Sequence, residues 1–334
     1  MDSPTSADAQ AVILVCTSIG TGRNDQSPRP FGPRTWAKLQ SAMARRGLSP
    51  ASLLGLDAKA IGETLETGEA EADRLAWLLG RGGQLAFELD RLGSRGLWVL
   101  TAVDEGYPSR LRERLTVDAP PVLFGAGNAA MLDLGGVAIV GARDADEPAI
   151  AFTEHLASTV ASAGAQVVSG GARGVDAWAT RAAFLAGGRV VGVLPEGVER
   201  RLREPDSRVA IAESRAVLVS PYRPDAPFSA GAAMARNKLI YALADAAVVV
   251  SSAAESGGTW AGAIEALDAG WVPVFVRDAE DVPEGNRRLL GHGALPLSEA
   301  SVDVKTVVSM LGRRPRGRVA EGPVEYRQAS LFGD

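Results

Sequence analysis

Residues 137–176 read VAIVGARDADEPAIAFTEHLASTVASAGAQVVSGGARGVD. The run Val137–Val140 is apolar and largely β-branched, and it ends in Gly141, Ala142 and Arg143, as a buried strand of a parallel sheet does. A helix-length stretch follows, with Phe152, Leu156 and Val160 at spacings of four, closed by Gly164. Val167 and Val168 form a second short strand, and Ser169-Gly170-Gly171-Ala172-Arg173-Gly174-Val175-Asp176 leads into another helical pattern. This is a βαβ unit whose two strands each end in a small-residue loop carrying an arginine. In open α/β sheets ligands bind at the carboxyl ends of strands, where glycines let backbone N–H groups come close to phosphates. A permanently charged arginine fork beside such loops suits phosphate recognition.

Downstream the alternation continues. Strands are expected at 137–140, 166–169, 189–193, 216–219, 246–251 and 272–276, with helices near 148–163, 175–186, 205–214, 231–244 and 259–269. Strict alternation is the mark of a doubly wound parallel sheet with right-handed crossovers. Upstream, residues 11–19 are apolar and of strand or short-helix length. Pro33 opens a short helix to Arg45, and helical patterns continue through 52–65 and 70–92, which predicts a small helical bundle. A strand at 97–100, a helix over 109–115 and an extended segment at 122–124 lead into the sheet. After Pro296 one short helical segment, 302–311, precedes an Arg/Gly/Pro-rich stretch that reads as a flexible linker. The expected division is therefore 1–95 helical, 96–300 α/β, and 301–334 short helix and tail.

Bulk properties narrow the function. Hydrophobic residues make up 46% of the 334, so a sizeable core is available. The net charge of −5 means that any nucleic-acid site must be a local basic patch on an acidic body. Cys16 is the only cysteine, and His155 and His292 are too far apart to suggest a metal cluster. No membrane span or leader is evident, and the chain reads as cytoplasmic. No metal and no cofactor is expected.

Five strand-end loops carry polar or basic residues: 141–143, 169–176, 195–203, 220–230 and 252–259. The helix after the fourth carries Arg236-Asn237-Lys238, which at 100° per residue cannot all face one way. No serine occupies a nucleophile elbow and no Walker lysine follows a glycine loop. Asp176, Glu196 and Glu265 are the candidate acids, with nothing in the sequence to pair them. No catalytic residue is assigned; the pattern is that of a binding site.

The quoted loops, with Gly192-Val-Leu-Pro-Glu-Gly197 and Arg236-Asn-Lys-Leu-Ile240, resemble successive motifs of the DNA-processing protein A (DprA/Smf) family. Asp104-Glu-Gly-Tyr-Pro108 and Pro120-Pro-Val-Leu-Phe124 resemble the lead-in to that domain, and Phe31-Gly-Pro-Arg34 its SAM-like helical amino-terminal domain. The likeness covers roughly residues 30–277. Two departures mark a divergent member: Val198-Glu-Arg stands where the family has a Tyr-Pro pair, and Ser256-Gly-Gly-Thr259 where it has Ser-Gly-Ser.

The resemblance implies an extended Rossmann fold that binds single-stranded DNA, forms a homodimer, and loads a RecA-type recombinase in transformation or a related DNA-handling role. By motif, the implied DNA- or phosphate-binding residues are Gly141, Arg143, Ser169, Gly170, Gly171, Arg173, Gly174, Asp176, Arg236, Asn237 and Lys238, joined by Ser256, Gly257, Gly258 and Thr259. The last loop also resembles that of the lysine-decarboxylase-like phosphoribohydrolases, so a nucleotide-binding sensor is the rival reading. In that motif the catalytic Glu lies three residues after Thr; here that position is Gly262, and Glu265 lies about 240° further round the helix than Thr259. Finally, Gln328-Ala329-Ser330-Leu331-Phe332 resembles the peptide by which many bacterial repair proteins dock on the sliding clamp, with Leu331 and Phe332 as anchors and Gln328 fixing orientation.

Overall fold

A computed structural model of the chain describes residues 5–20 and 27–313. Five helices come first: α1 (Ala7–Cys16), α2 (Pro33–Arg45), α3 (Ala58–Leu65), α4 (Glu69–Leu79) and α5 (Gly82–Gly93). The chain then runs β1 (Leu97–Thr101), α6 (Ser109–Leu115), β2 (Val122–Gly127), β3 (Val137–Val140), α7 (Glu147–Ser162), β4 (Gln166–Ser169), α8 (Val175–Leu185) and β5 (Arg189–Val193). It continues through α9 (Pro205–Ala212), β6 (Ala216–Ser220), α10 (Ala230–Leu243), β7 (Ala246–Val249), α11 (Gly257–Ala269), β8 (Val274–Arg277), α12 (Glu284–Gly291), β9 (Leu295–Leu297) and α13 (Val304–Leu311). Among the described residues no helix is long and apolar enough to cross a membrane.

The nine strands form one sheet in the order β1-β2-β6-β5-β4-β3-β7-β8-β9. From β6 to β9 every pairing is parallel. Period-two alternation divides the strand residues between two cores. Ala138 and Val140 pack under α6, α10, α11 and α12. Val137 and Ile139 pack on the other face with Phe152, Leu156 and Val160 of α7 and with α8 and α13. Helix α7 starts where Asp146 accepts a hydrogen bond from the Ala149 amide at 2.9 Å, with Pro148 in its first turn.

Two features differ from the sequence expectation, and one open reading is resolved. The sheet is mixed, because β1 pairs antiparallel with β2, and β2 antiparallel with β6. Trp98 faces Gly125 across the first pair, and its indole Nε1 donates to the Gly127 carbonyl at 2.8 Å. Residues 11–19, open between strand and helix, lie largely in α1, whose Ala11–Val15 side chains are all buried. A helix covered on every side shows no amphipathic stripe, so periodicity could not decide it. Strand β8 starts at Val274 because Pro273 has no amide to donate; its carbonyl still accepts from Ala247 N at 3.0 Å. The short α12 and β9 had no signal of their own.

Helices α1–α5 share one hydrophobic cluster with Leu97 of β1, Val122, Phe124 and Ala126 of β2, and Leu218 of β6. They cover the antiparallel end of the sheet directly. From β3 the chain winds outward through β4, β5 and β6, then returns to place β7 on the other side of β3. The loops after β3 and β7 therefore diverge and leave a crevice at the carboxyl ends of the strands.

Candidate functional site

That crevice holds a cavity of about 410 Å³ lined by the loop after β3, the start of α8, the inner face of α10 and the loop opening α11. Gly141, Arg143, Asp176, Arg236, Asn237 and the Ser256–Thr259 turn all border it. A second cavity of about 270 Å³ adjoins it and shares Arg143, Ala172 and Arg236. Its remaining walls include Gly171, Arg173, Arg201, Glu196 and Phe228.

Arg236 sits between the two. Its side chain is 3% exposed, and its Nε and Nη1 have no hydrogen-bond partner among the described residues. Burial pulls its pKa below the usual arginine range, with Asp176 and then Glu196 opposing the shift. A buried guanidinium with idle donors is costly unless an anion completes it. Arg143 and Arg173 are exposed on the rims, and neither makes an ion pair among the described residues. Arg143, Arg173 and Arg236 thus converge on one crevice, with the buried Asp176 and Glu196 as counter-charges.

Asp176 is the buried counter-charge. Its carboxylate accepts from the Gly170 amide at 3.1 Å and is held further by the amides of Ala172 and Gly141. Burial nevertheless dominates and pushes its pKa up to about 6. Gly170 is required here for space: a Cβ would fall on the Arg236 Nη1 and within 2.6 Å of the Asp176 carboxylate. Gly174, at φ +74°, needs both conformation and space, since its missing Cβ would run into the Ala142 and Arg143 carbonyls. There the loops after β3 and β4 lock together, with Val175 N donating to Ala142 O at 3.2 Å.

The candidate residues divide into three groups. Gly141, Arg143, Gly171, Arg173, Asp176, Arg236, Asn237, Ser256, Gly257, Gly258 and Thr259 border the crevice. Ser169, Gly170 and Gly174 lie behind it as framework; the Ser169 hydroxyl donates to the Ile139 carbonyl at 2.9 Å and faces the sheet. Asn237 and Thr259 also brace the walls, through bonds to Gly258 O at 2.9 Å and Gly141 O at 3.2 Å. Lys238 stands apart. It borders a different cavity with Arg34 and Tyr222, its Nζ 3.7 Å from Glu265. Glu265 lines neither cavity of the crevice. The residues Gln328, Leu331 and Phe332 lie outside the described residues.

Sequence reasoning missed Phe228 and Arg201. Phe228 is 45% exposed beside Arg143, whose guanidinium carbon lies 5.6 Å from the ring centroid. Arg201 donates to the Gly171 carbonyl and, at 3.2 Å, to Glu204, holding the glycine loop from outside. Phe228 sits in a polar, proline-bounded loop, and only its exposure beside an arginine sets it apart.

Comparison with known proteins now bears on this geometry. The family model described as DNA recombination-mediator protein A matches residues 98–307. A Mycobacterium tuberculosis protein named as a DNA processing protein DprA is 32% identical over 254 residues, covering 72% of this chain and 61% of the relative. The chain thus spans less than two thirds of that relative's length. The DNA processing protein DprA of Bacillus subtilis is 28% identical over 180 residues, 53% of this chain and 59% of the relative. Among solved structures, DNA processing protein A of Streptococcus pneumoniae superposes with a TM-score of 0.60 at 21% identity, covering 84% of this chain and 98% of that one, a likeness of fold. DNA processing protein A of Helicobacter pylori, described for its single-stranded DNA binding mode, gives 0.51 at 25% identity over 64% of this chain and 95% of that one.

Proposed function

The chain belongs to the DNA recombination-mediator protein A (DprA) family, and from that premise we propose that it binds single-stranded DNA in the crevice at the sheet's switch point. The observation that carries the proposal is the buried Arg236 guanidinium, whose Nε and Nη1 lack partners among the described residues, flanked by the exposed Arg143 and Arg173. A phosphodiester can meet the exposed Arg143 and Arg173 directly, while Arg236 adds its charge from behind the cavity wall. Such contacts hold a backbone without reading its sequence. The protein acts by binding rather than by turnover, in the cytoplasm.

Each exposed arginine on a phosphate contributes about one unit to the dependence of log affinity on log salt. Arg143→Ala and Arg173→Ala should each weaken oligonucleotide binding and lower that slope by about one. Unchanged affinity and slope in both variants would remove the crevice from consideration. Nucleoside monophosphates, titrated in parallel, test the sensor reading that uses the same loops. Glu265, turned toward Lys238, disfavours the hydrolytic version of it.

The same proposal includes a homodimer that presents the bound strand to a RecA-type recombinase, and a tail whose Gln328, Leu331 and Phe332 dock on the sliding clamp. A synthetic peptide of residues 322–334 should bind purified clamp in the micromolar range and lose binding when Leu331 and Phe332 are both alanine.

A further inference from the structure

Two motif residues have no part in the crevice. Arg34 ends the Phe31-Gly-Pro-Arg34 motif at the start of α2, and Lys238 follows Arg236 and Asn237 on α10. Both line a second cavity, of about 480 Å³, between helices α1–α5 and the sheet. Helix α10 is its common wall with the crevice: Arg236 and Asn237 line the crevice, while Ala235, Lys238 and Leu239 line this cavity. The other walls are apolar and stiff, with Phe31, Pro120, Pro121 and Pro221 among them. Tyr222 is held in place as well, its Oη donating to Ala232 O at 3.1 Å. The charged lining residues are Arg34, Asp118 and Lys238, two cations to one carboxylate. Arg34 donates to both Asp118 oxygens, at 2.7 and 3.1 Å. Those bonds, with a further pull from Lys238, hold the Asp118 carboxyl below its usual range against the effect of burial. Lys238 Nζ lies 3.7 Å from Glu265, beyond hydrogen-bond length, so its donors are open to a better acceptor.

We propose that this junction cavity is a binding site for a free nucleoside monophosphate, with the phosphate on Lys238 and Arg34 and the base against the proline-lined wall. Small-ligand sites favour domain junctions, are mostly apolar, and carry a few convergent polar groups in about 300–1,000 Å³. All three conditions are met here. An inorganic anion would answer the cation excess but leave the apolar wall in water, and an uncharged ring would do the reverse. A planar base carrying a phosphate answers both. Helix α2 adds to the positive end: Gly32 at its N-cap has no side chain to offer, and Pro33, Arg34 and Thr35 of its first turn border the cavity. Because α10 separates this cavity from the crevice, the site is distinct from the one proposed for the strand. It holds whether or not the crevice binds DNA.

The test is calorimetric titration of the full-length protein, free of DNA, with AMP, adenosine and ribose 5-phosphate. AMP should bind more tightly than either fragment, since each fragment carries only half of the match. Lys238→Ala should weaken AMP binding by about tenfold or more, the loss of one charge-assisted contact. Ala235→Phe fills the cavity from an exposed position on α10 without changing charge, and should abolish AMP binding while the melting temperature and oligonucleotide binding hold. Arg143→Ala and Arg173→Ala should bind AMP as the wild type does, which separates this site from the crevice. Absence of AMP binding by the wild type would overturn the proposal. So would AMP binding that is lost in the two crevice variants and kept in Lys238→Ala and Ala235→Phe. Displacement of bound AMP by a saturating oligonucleotide would assign the cavity to the strand and overturn it too.

Discussion

Asp176 and Arg236 set the charge of the crevice, and pH should tune it. The Asp176 carboxyl is raised to about 6 by burial, against the pull of Arg236. Above that pH it is ionised and offsets part of the guanidinium's charge. As pH falls through about 6 it takes up a proton, the arginines face the cavity less compensated, and anion binding should strengthen. Oligonucleotide affinity measured from pH 7.5 to 5.5 should rise in the wild type and change less in Asp176→Asn. Stability follows the same sign. The folded pKa lies above the reference value of 3.8, so the contribution is full below 3.8 and is lost as pH rises through about 6. Urea unfolding should therefore show the wild type losing stability relative to Asp176→Asn, on the order of 1–2 kcal/mol, between pH 5 and pH 7.5. Gly170→Ala addresses the same pair by displacing Arg236, and should reduce binding more than any rim substitution.

At the scale of elements, the carboxyl end of α1 depends on a residue distant in sequence. Arg81 is 6% exposed and donates to the carbonyls of Leu14, Thr17, Ile19 and Leu78, with 2.8 Å to Ile19 and 3.1 Å to Thr17. Burial pulls its pKa down to about 10, which still leaves it charged at neutral pH. Arg81→Leu would strand several buried acceptors, each costing about 1–3 kcal/mol. Thermal unfolding should show a loss large enough to separate this variant clearly from exposed arginine changes. Ser229→Ala removes the cap of α10 and should cost about 1 kcal/mol. A variant with unaltered melting temperature would show the cap to be dispensable.

At the scale of the molecule, the helical unit and the sheet are joined through a common core. Residues from α1–α5 bury Phe124 and Leu218, which would otherwise form an exposed apolar face on β2 and β6. Calorimetry of the full chain should give one cooperative transition, and a fragment starting at residue 96 should be less stable and prone to self-association. Two well-separated transitions in the full chain, with the later one matching an isolated, soluble fragment, would contradict this coupling.

The winding of the sheet is legible in the chain alone, because Val137–Val140, Gln166–Ser169 and Arg189–Val193 are short apolar strands set between helical periods, and such alternation admits few topologies. The placing of Arg143, Arg173 and Arg236 is legible there too, since strand-end loops of one parallel sheet must converge. Residue period predicted that Arg236, Asn237 and Lys238 would part company, and Lys238 is the one turned away. The tertiary arrangement alone sets what α1 packs among, the antiparallel run of β1 and β2, the burial of Arg236 with its Nε and Nη1 unpartnered among the described residues, and the exposure of Phe228 beside Arg143. Periodicity records which face of an element is apolar. Burial and juxtaposition depend on what distant segments bring to that face, and no local pattern encodes them.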